Sequence, residues 1–323
     1  MEVQFGHKNK VNVCIYEFIG LALLMLTVNL SKDMGLLQIP AICFMVLADI
    51  NIMGPVSGGH VNPAITIGVL VGYYGQPKFC ENLGFTILIW TSQIAGACFG
   101  CFLVWLVSTV DPNDLNVIHP TPALLCPPKN FGNDMEDICD GSGQFFQMFL
   151  IEVLATFAYV ATVLSVVYSN ATNKMSGGII IVFVLFATIC TAGTISGGSI
   201  NPAVGIAQQV FQNIMVAEYP NTFNGGSNRM VRAGLNSIWV YSLGPWVGGF
   251  LAGLWKQYDA NTQLSIDKIE FVHPKALQRA ATMKAEFVRA ATMKAEEDKK
   301  KRKQVKADDQ DSFEDEMEMT DRP

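Results

Sequence analysis

Two stretches of the chain carry nearly the same text: Ser57-Gly-Gly-His-Val-Asn-Pro-Ala-Ile-Thr-Ile-Gly68 and Ser196-Gly-Gly-Ser-Ile-Asn-Pro-Ala-Val-Gly-Ile-Ala207. In each, a glycine pair lets the backbone turn sharply, asparagine is a favoured helix N-cap, and proline is favoured at the first helical position. Each stretch therefore reads as a loop entering a short helix, over roughly 62–72 in the first copy and 201–213 in the second. Neither helix reaches the ~20 residues needed to cross a bilayer. One Asn-Pro-Ala alone is an ordinary helix start. Two copies 139 residues apart, each after the second apolar span of its half, point to an inverted repeat whose half-helix N-termini meet near the membrane midplane.

Half of the 323 residues are hydrophobic and mean hydropathy is +0.30. Only 15% are charged, well below the roughly 25% of soluble domains, which excludes an ordinary soluble core. The net charge of −6 hides an uneven distribution. Residues 1–260 hold 9 Lys and Arg against 14 Asp and Glu, leaving 13 and 14 for the last 63 residues, so the tail is a separate, solvated region. Apolar windows near 11–30, 39–55, 83–108, 145–169, 177–196 and 236–256 predict six spans. The expected fold is an all-α membrane protein with six transmembrane helices plus two half-helices in an inverted repeat. Its parts are an N-terminal segment 1–10, a membrane domain 11–258 with halves at about 11–108 and 145–256 joined by loop 109–144, and a tail 259–323. The first span does not read as a signal peptide. Only Lys8 and Lys10 precede it, it carries Glu17, and no small-residue cleavage site follows.

Loop charges predict the orientation. Lys8, Lys10, Lys78 and the cations of the tail lie on one side, whereas 109–144 holds one Lys against six acids; both termini are therefore expected in the cytoplasm. The 109–144 and 213–235 connections then lie outside. A plasma membrane and a vacuolar or other endomembrane fit equally. Cys126 and Cys139 share the outer loop, either bridged in an oxidising compartment or as two free thiols, and the other six cysteines read as packing residues in or near spans. The sequons Asn29-Leu-Ser31 and Asn170-Ala-Thr172 are not expected to carry glycans, the first lying against the bilayer and the second facing the cytoplasm.

Further segments pair across the halves: Glu17 in Tyr16-Glu-Phe-Ile-Gly20 and Glu152 in Ile151-Glu-Val-Leu-Ala155. With Ser92-Gln-Ile-Ala-Gly-Ala97, Gly244-Pro-Trp-Val-Gly-Gly-Phe-Leu-Ala252 and the two motifs, the chain closely resembles the aquaporin (major intrinsic protein) family over most of 11–256. The resemblance implies a passive channel for water, with urea, glycerol, ammonia or peroxide as further small neutral cargo. It implies a homotetramer with one pore per subunit, in contact with water, solutes and the lipid bilayer. No catalytic residue, cofactor, metal or nucleic acid is expected. Asn62, Pro63, Ala64, Asn201, Pro202 and Ala203 are the expected pore motifs. Opposed half-helices place two positive dipole ends, about half a charge each, at the centre and raise a barrier to cations. Each Asn amide donating to a passing oxygen turns the water's hydrogens away and interrupts a proton wire. An ionised carboxylate inside a span costs about 2.5–3.5 kcal/mol unless it finds donors. By resemblance, Glu17 and Glu152 find them in the half-helix loops and anchor those loops. The rival readings are a proton-coupled secondary transporter, an ion channel and a non-conducting scaffold.

The family commonly has Arg directly after the second motif, where this chain has Val204. By the same resemblance the other three selectivity positions are Ile42, Ile189 and Gly198; a shift of one residue would put Ala41 or Cys43 in place of Ile42. Such a ring has neither charge nor side-chain donor and is wider and more apolar than that of a strict water channel. It is closer to the vacuolar plant-type branch. Glycerol-conducting members usually carry Asp after the Arg, whereas Gly205 stands here, with Gln209 four residues on. Asp49 lies two helical turns from Ile42 and is a candidate either for lining the inner half of the pore or for bonding a neighbouring helix. His60 is a candidate for facing the pore and reads first as a structural donor in its loop.

In the tail, Arg279-Ala-Ala-Thr-Met-Lys-Ala-Glu286 recurs as Arg289-Ala-Ala-Thr-Met-Lys-Ala-Glu296, a helix-forming repeat. A basic cluster at Lys299–Lys306 and an acidic end at Asp308–Asp321 follow, suited respectively to an anionic leaflet and to disorder. Thr282, Thr292 and Ser312 are weak kinase-site candidates.

Overall fold

The computed structural model describes residues 9–72, 79–108, 142–167, 174–218 and 227–272, together with 286, 289 and 292–294 of the tail. The Cys126–Cys139 loop, the Asn170 sequon, most of the tail repeat and the charged end lie outside the described residues. In chain order the elements are α1 (Lys10–Leu30), a 3-10 turn (Lys32–Leu37), α2 (Gln38–Ser57), α3 (Pro63–Gly72), α4 (Phe79–Ser108), α5 (Ser142–Val167), α6 (Lys174–Gly193), α7 (Pro202–Glu218) and α8 (Ser227–Val272). No strand occurs among the described residues. Helices α3 and α7 are the two short elements that open on the duplicated Asn-Pro. Helix α7 runs to Glu218, past the expected end, because no Gly or Pro interrupts 206–218 before Pro220, whereas α3 ends on Gly72 and Gly75 and Pro77 follow in the sequence.

Helices α1, α2, α4, α5 and α6 are long and apolar enough to cross a membrane. The sixth expected span lies inside α8, where Trp239, Trp246 and Trp255 and four glycines between 244 and 253 stand in place of aliphatic residues and lower the hydropathy. Residues up to Asp259 form one compact unit, and Ala260–Pro323 a second.

In the first unit, polarity is turned inward. Phe44, Phe183, Phe146 and Leu88 are exposed on the helix surfaces, whereas Glu17, Glu152, Gln93, Asn62 and Asn201 are buried. That is the distribution demanded by a hydrocarbon solvent, in which polar groups must find partners inside the protein. Small residues let the helices meet at backbone distance. A Cβ at Gly96 of α4 would overlap the Phe18 carbonyl of α1, and one at Gly249 of α8 would overlap the Ala64 carbonyl of α3. The first contact packs α4 on α1, and the second seats the half-helix α3 against α8.

Candidate functional site

The loops ahead of α3 and α7 have nearly the same backbone. Gly58 and Gly197 have φ of 92° and 91°, Gly59 and Gly198 61° and 67°, and Val61 and Ile200 39° and 52°. The glycines adopt this region freely. Val61 and Ile200 are β-branched, and holding either there costs about 1–3 kcal/mol.

Buried acids hold both loops. Glu17 accepts from the Val61 N–H at 2.7 Å, the His60 N–H at 3.0 Å, the Ser57 hydroxyl at 2.6 Å and the Gln93 amide at 2.8 Å. Glu152 accepts from the Ile200 N–H at 2.8 Å, the Ser199 N–H at 2.9 Å and the Ser196 hydroxyl at 2.6 Å. Ser57 and Ser196 in turn accept from the Gly59 and Gly198 N–H groups. A hydrogen bond to a charged group contributes about 1.5–3 kcal/mol, so the two backbone bonds of each glutamate outweigh the strain. Both glutamates are fully buried. The serines opening each duplicated stretch were visible in the sequence, but their bridging role was not. Tyr241, which donates to the Ser196 carbonyl at 2.6 Å, lay in an apolar span with nothing to mark its partner.

The strained residues turn their carbonyls across the molecule. Asn201 Nδ2 donates to the Val61 carbonyl at 2.8 Å and Asn62 Nδ2 to the Ile200 carbonyl at 3.0 Å. Meanwhile Asn62 Oδ1 caps α3 by accepting from Ala64 N at 2.8 Å, and Asn201 Oδ1 caps α7 by accepting from Ala203 N at 3.0 Å. Each asparagine thus ties its own helix start to the opposite loop, and the two N-termini face one another. One N–H of each amide is spent on this brace, and one remains.

A cavity of about 450 Å³ reaches these asparagines, and His60, Ile42, Ile189, Gly198 and Val204 also line it. Gly198 packs against Ile189, where an added Cβ would come within 3.2 Å of the Ile189 carbonyl. Val204 lies three residues beyond Asn201 on α7, so it faces the lumen just past the brace. His60 Nδ1 sits 3.1 Å from the Thr66 hydroxyl, which also accepts from Gln93.

Asp49 is placed elsewhere. It is fully buried, does not line this cavity, and its carboxyl packs beside Gly20 of α1. The loop is the cause. Gly59 folds back over the Asp49 carbonyl and Val61 enters the notch left by Gly20, so protein covers this stretch of α2. The alternative expectation, a hydrogen bond to a neighbouring helix, is not met either: neither Asp49 oxygen has a partner among the described residues.

The sequence model of the major intrinsic protein family matches residues 9–256. The chain is 30% identical to a probable aquaporin TIP2-2 of Oryza sativa subsp. japonica, over 77% of this chain and 84% of the relative. It is 29% identical to aquaporin AqpM of Methanothermobacter marburgensis, over 67% of this chain and 73% of the relative. Its fold matches the X-ray structure of the aquaglyceroporin from Plasmodium falciparum with a TM-score of 0.56 at 17% identity, covering 77% of this chain and 96% of that one.

Proposed function

The chain belongs to the major intrinsic protein family, a family of channels, and on that premise we propose that its cavity is a passive pore for water and for small neutral solutes about as wide as urea. The observation that carries this reading is the lining of the cavity. The paired asparagines bring amide donors to that lining, and Ile42, Ile189, Gly198 and Val204, which also line it, bring no side-chain donor. We assign those four as the selectivity ring. In an aliphatic ring a permeating molecule gives up hydrogen bonds without replacement from side chains, which weakens discrimination by donors and leaves width as the main filter.

At the asparagines, two helix N-termini present a positive field that repels cations, and the remaining amide N–H of each donates to the oxygen of a passing molecule. Glu17 and Glu152 are read as loop anchors. Four donors on the first and three on the second, with no exposure, argue against a proton-exchanging role. The protein is an integral multi-pass membrane protein. Cytoplasmic termini and a homotetramer complete the proposal, the first from loop charges and the second from the family.

Val204→Arg is the test. An arginine fills the ring, adds up to five donors and places a fixed cation there. Stopped-flow light scattering on proteoliposomes is expected to give a lower urea-to-water permeability ratio with water flux retained. An unchanged or higher ratio at equal insertion would remove Val204 from the ring.

A further inference from the structure

We propose that the carboxamides of Asn29 and Gln208 form a solute-selecting site in the part of the cavity away from the paired asparagines, and that it takes urea and small primary amides. The proposal rests on the reading of this cavity as a pore. Gln208 lies one helical turn beyond Val204 and about 10 Å along α7 from Asn201. Asn29, on the last turn of α1, is 2% exposed, and Gln208 is 9% exposed; both line the cavity. Asn29 is fixed by donating from Nδ2 to the Met25 carbonyl at 2.9 Å, and its Oδ1 accepts from Gln208 Nε2 at 3.4 Å. Gln38, at the start of α2, adds a third carboxamide to the lining and donates to the Val28 carbonyl at 3.4 Å.

These bonds leave a definite set of groups open. Among the described residues the Gln208 carbonyl oxygen accepts no hydrogen bond, and the second N–H of its amide donates none. One buried side chain therefore offers an acceptor and a donor from a single planar group, held by a second amide that is itself fixed. Urea and primary amides carry the complementary pair, a carbonyl beside an N–H, and can close both bonds at once. Glycerol, which carries only hydroxyls, cannot match that plane with one functional group. The position supplies the selectivity. The adjacent ring of Ile42, Ile189 and Val204 has no side-chain donor, so a solute whose water has already been replaced by Gln208 enters it more readily than one that must shed water there.

The test uses the full chain in proteoliposomes, with urea, acetamide, glycerol and osmotic water flux measured on the same vesicles. In Gln208→Met, which keeps the length and removes both polar groups, the urea-to-water and acetamide-to-water permeability ratios are expected to fall about tenfold. The glycerol-to-water ratio should fall less than about threefold, because fewer of glycerol's bonds are lost. If Gln208→Met does not insert, Gln208→Asn withdraws the amide from Asn29 by one methylene, and the same pattern is expected. Unchanged urea and acetamide ratios overturn the site. An equal fall for glycerol overturns its assignment to amides. A wild-type protein that passes water but no urea overturns this inference together with the solute part of the proposed function, whereas one with no water flux above empty vesicles overturns the pore reading itself.

Discussion

Replacing Glu152 with glutamine keeps the shape of the side chain and takes away half of its accepting edge. In the native loop one carboxylate oxygen serves Ser196 and Ser199, and the other serves the Ile200 N–H at 2.8 Å. Whichever way the amide turns, its NH2 meets a donor. With the carbonyl kept on the serine side, the Ile200 N–H is left facing another N–H. The loss of one charge-assisted bond is about 1.5–3 kcal/mol, and the orphaned donor adds about 1–3 kcal/mol. That bond also restrains Ile200 at φ 52°, whose carbonyl receives Asn62, so the brace between the halves loosens with it. An overall loss of about 2.5–6 kcal/mol corresponds, for a domain of this size, to a fall in apparent Tm of roughly 5–24 °C, with reduced water flux per inserted subunit.

Asp49→Asn is the matched control. Like Glu17 and Glu152 it is a fully buried acid in a spanning helix, but its oxygens have no protein partner among the described residues, so neutralising it removes no bond. Its Tm is expected to stay level or to rise by a few degrees, because a buried unpaired carboxylate is itself a cost. Thermal unfolding of the two variants in the same detergent, with flux in vesicles, decides the matter. Equal losses in both, or no loss in Glu152→Gln, would refute the assignment of stability to donor count.

Other perturbations follow from the same contacts. Asn201→Asp removes the donor to the Val61 carbonyl and sets a negative charge against both helix ends; monovalent cation current in planar bilayers should rise above wild type. Gly249→Val drives a side chain into the Ala64 carbonyl and should cost at least about 1–3 kcal/mol, seen as a lower yield of folded protein, whereas Gly84→Ala, with nothing within 4 Å of its added Cβ, should be neutral. Deleting 263–323, within the second compact unit, should leave water permeability per inserted subunit near wild type.

What the sequence made legible was local. Asn at an N-cap and Pro after it specify a helix start within four residues, and both half-helices begin where that chemistry places them. The spans were legible because a 20-residue apolar window is set by the bilayer, even for α8 with its glycines and tryptophans. Illegible were the bonds between distant positions. The brace joins residues 138 and 140 apart, and Asn29 meets Gln208 across 179. Nothing in either neighbourhood encodes them; they follow from tertiary packing, which a local reading of the sequence does not reach. Asp49 shows the same limit. Its helical phase with Ile42 pointed to the lumen, but its carboxyl is buried beside Gly20 of α1, and phase along one helix says nothing of what another segment covers.

The two halves match closely in backbone, yet they do not share the pore equally. Left-handed residues recur pairwise, and each half spends a buried glutamate and a serine on holding them. The supports outside that set differ: Gln93 and Thr66 back the first loop, and the Tyr241 hydroxyl backs the second. The lumen diverges further. Three of the four residues in the proposed ring, Ile189, Gly198 and Val204, come from the second half, and their counterparts by position within the repeat include Gly59 and Ile65, both buried in protein contacts. If those four form the ring as proposed, a duplicated scaffold yields a one-sided constriction. The anchors are constrained by strain that both halves must offset, so changes there act on stability and flux together. Gly198 shares that duty through its left-handed φ and its bond to Ser196, but Ile189 and Val204 do not, so substitutions at 189 and 204 are free to change the ratio between solutes while the brace stays in place.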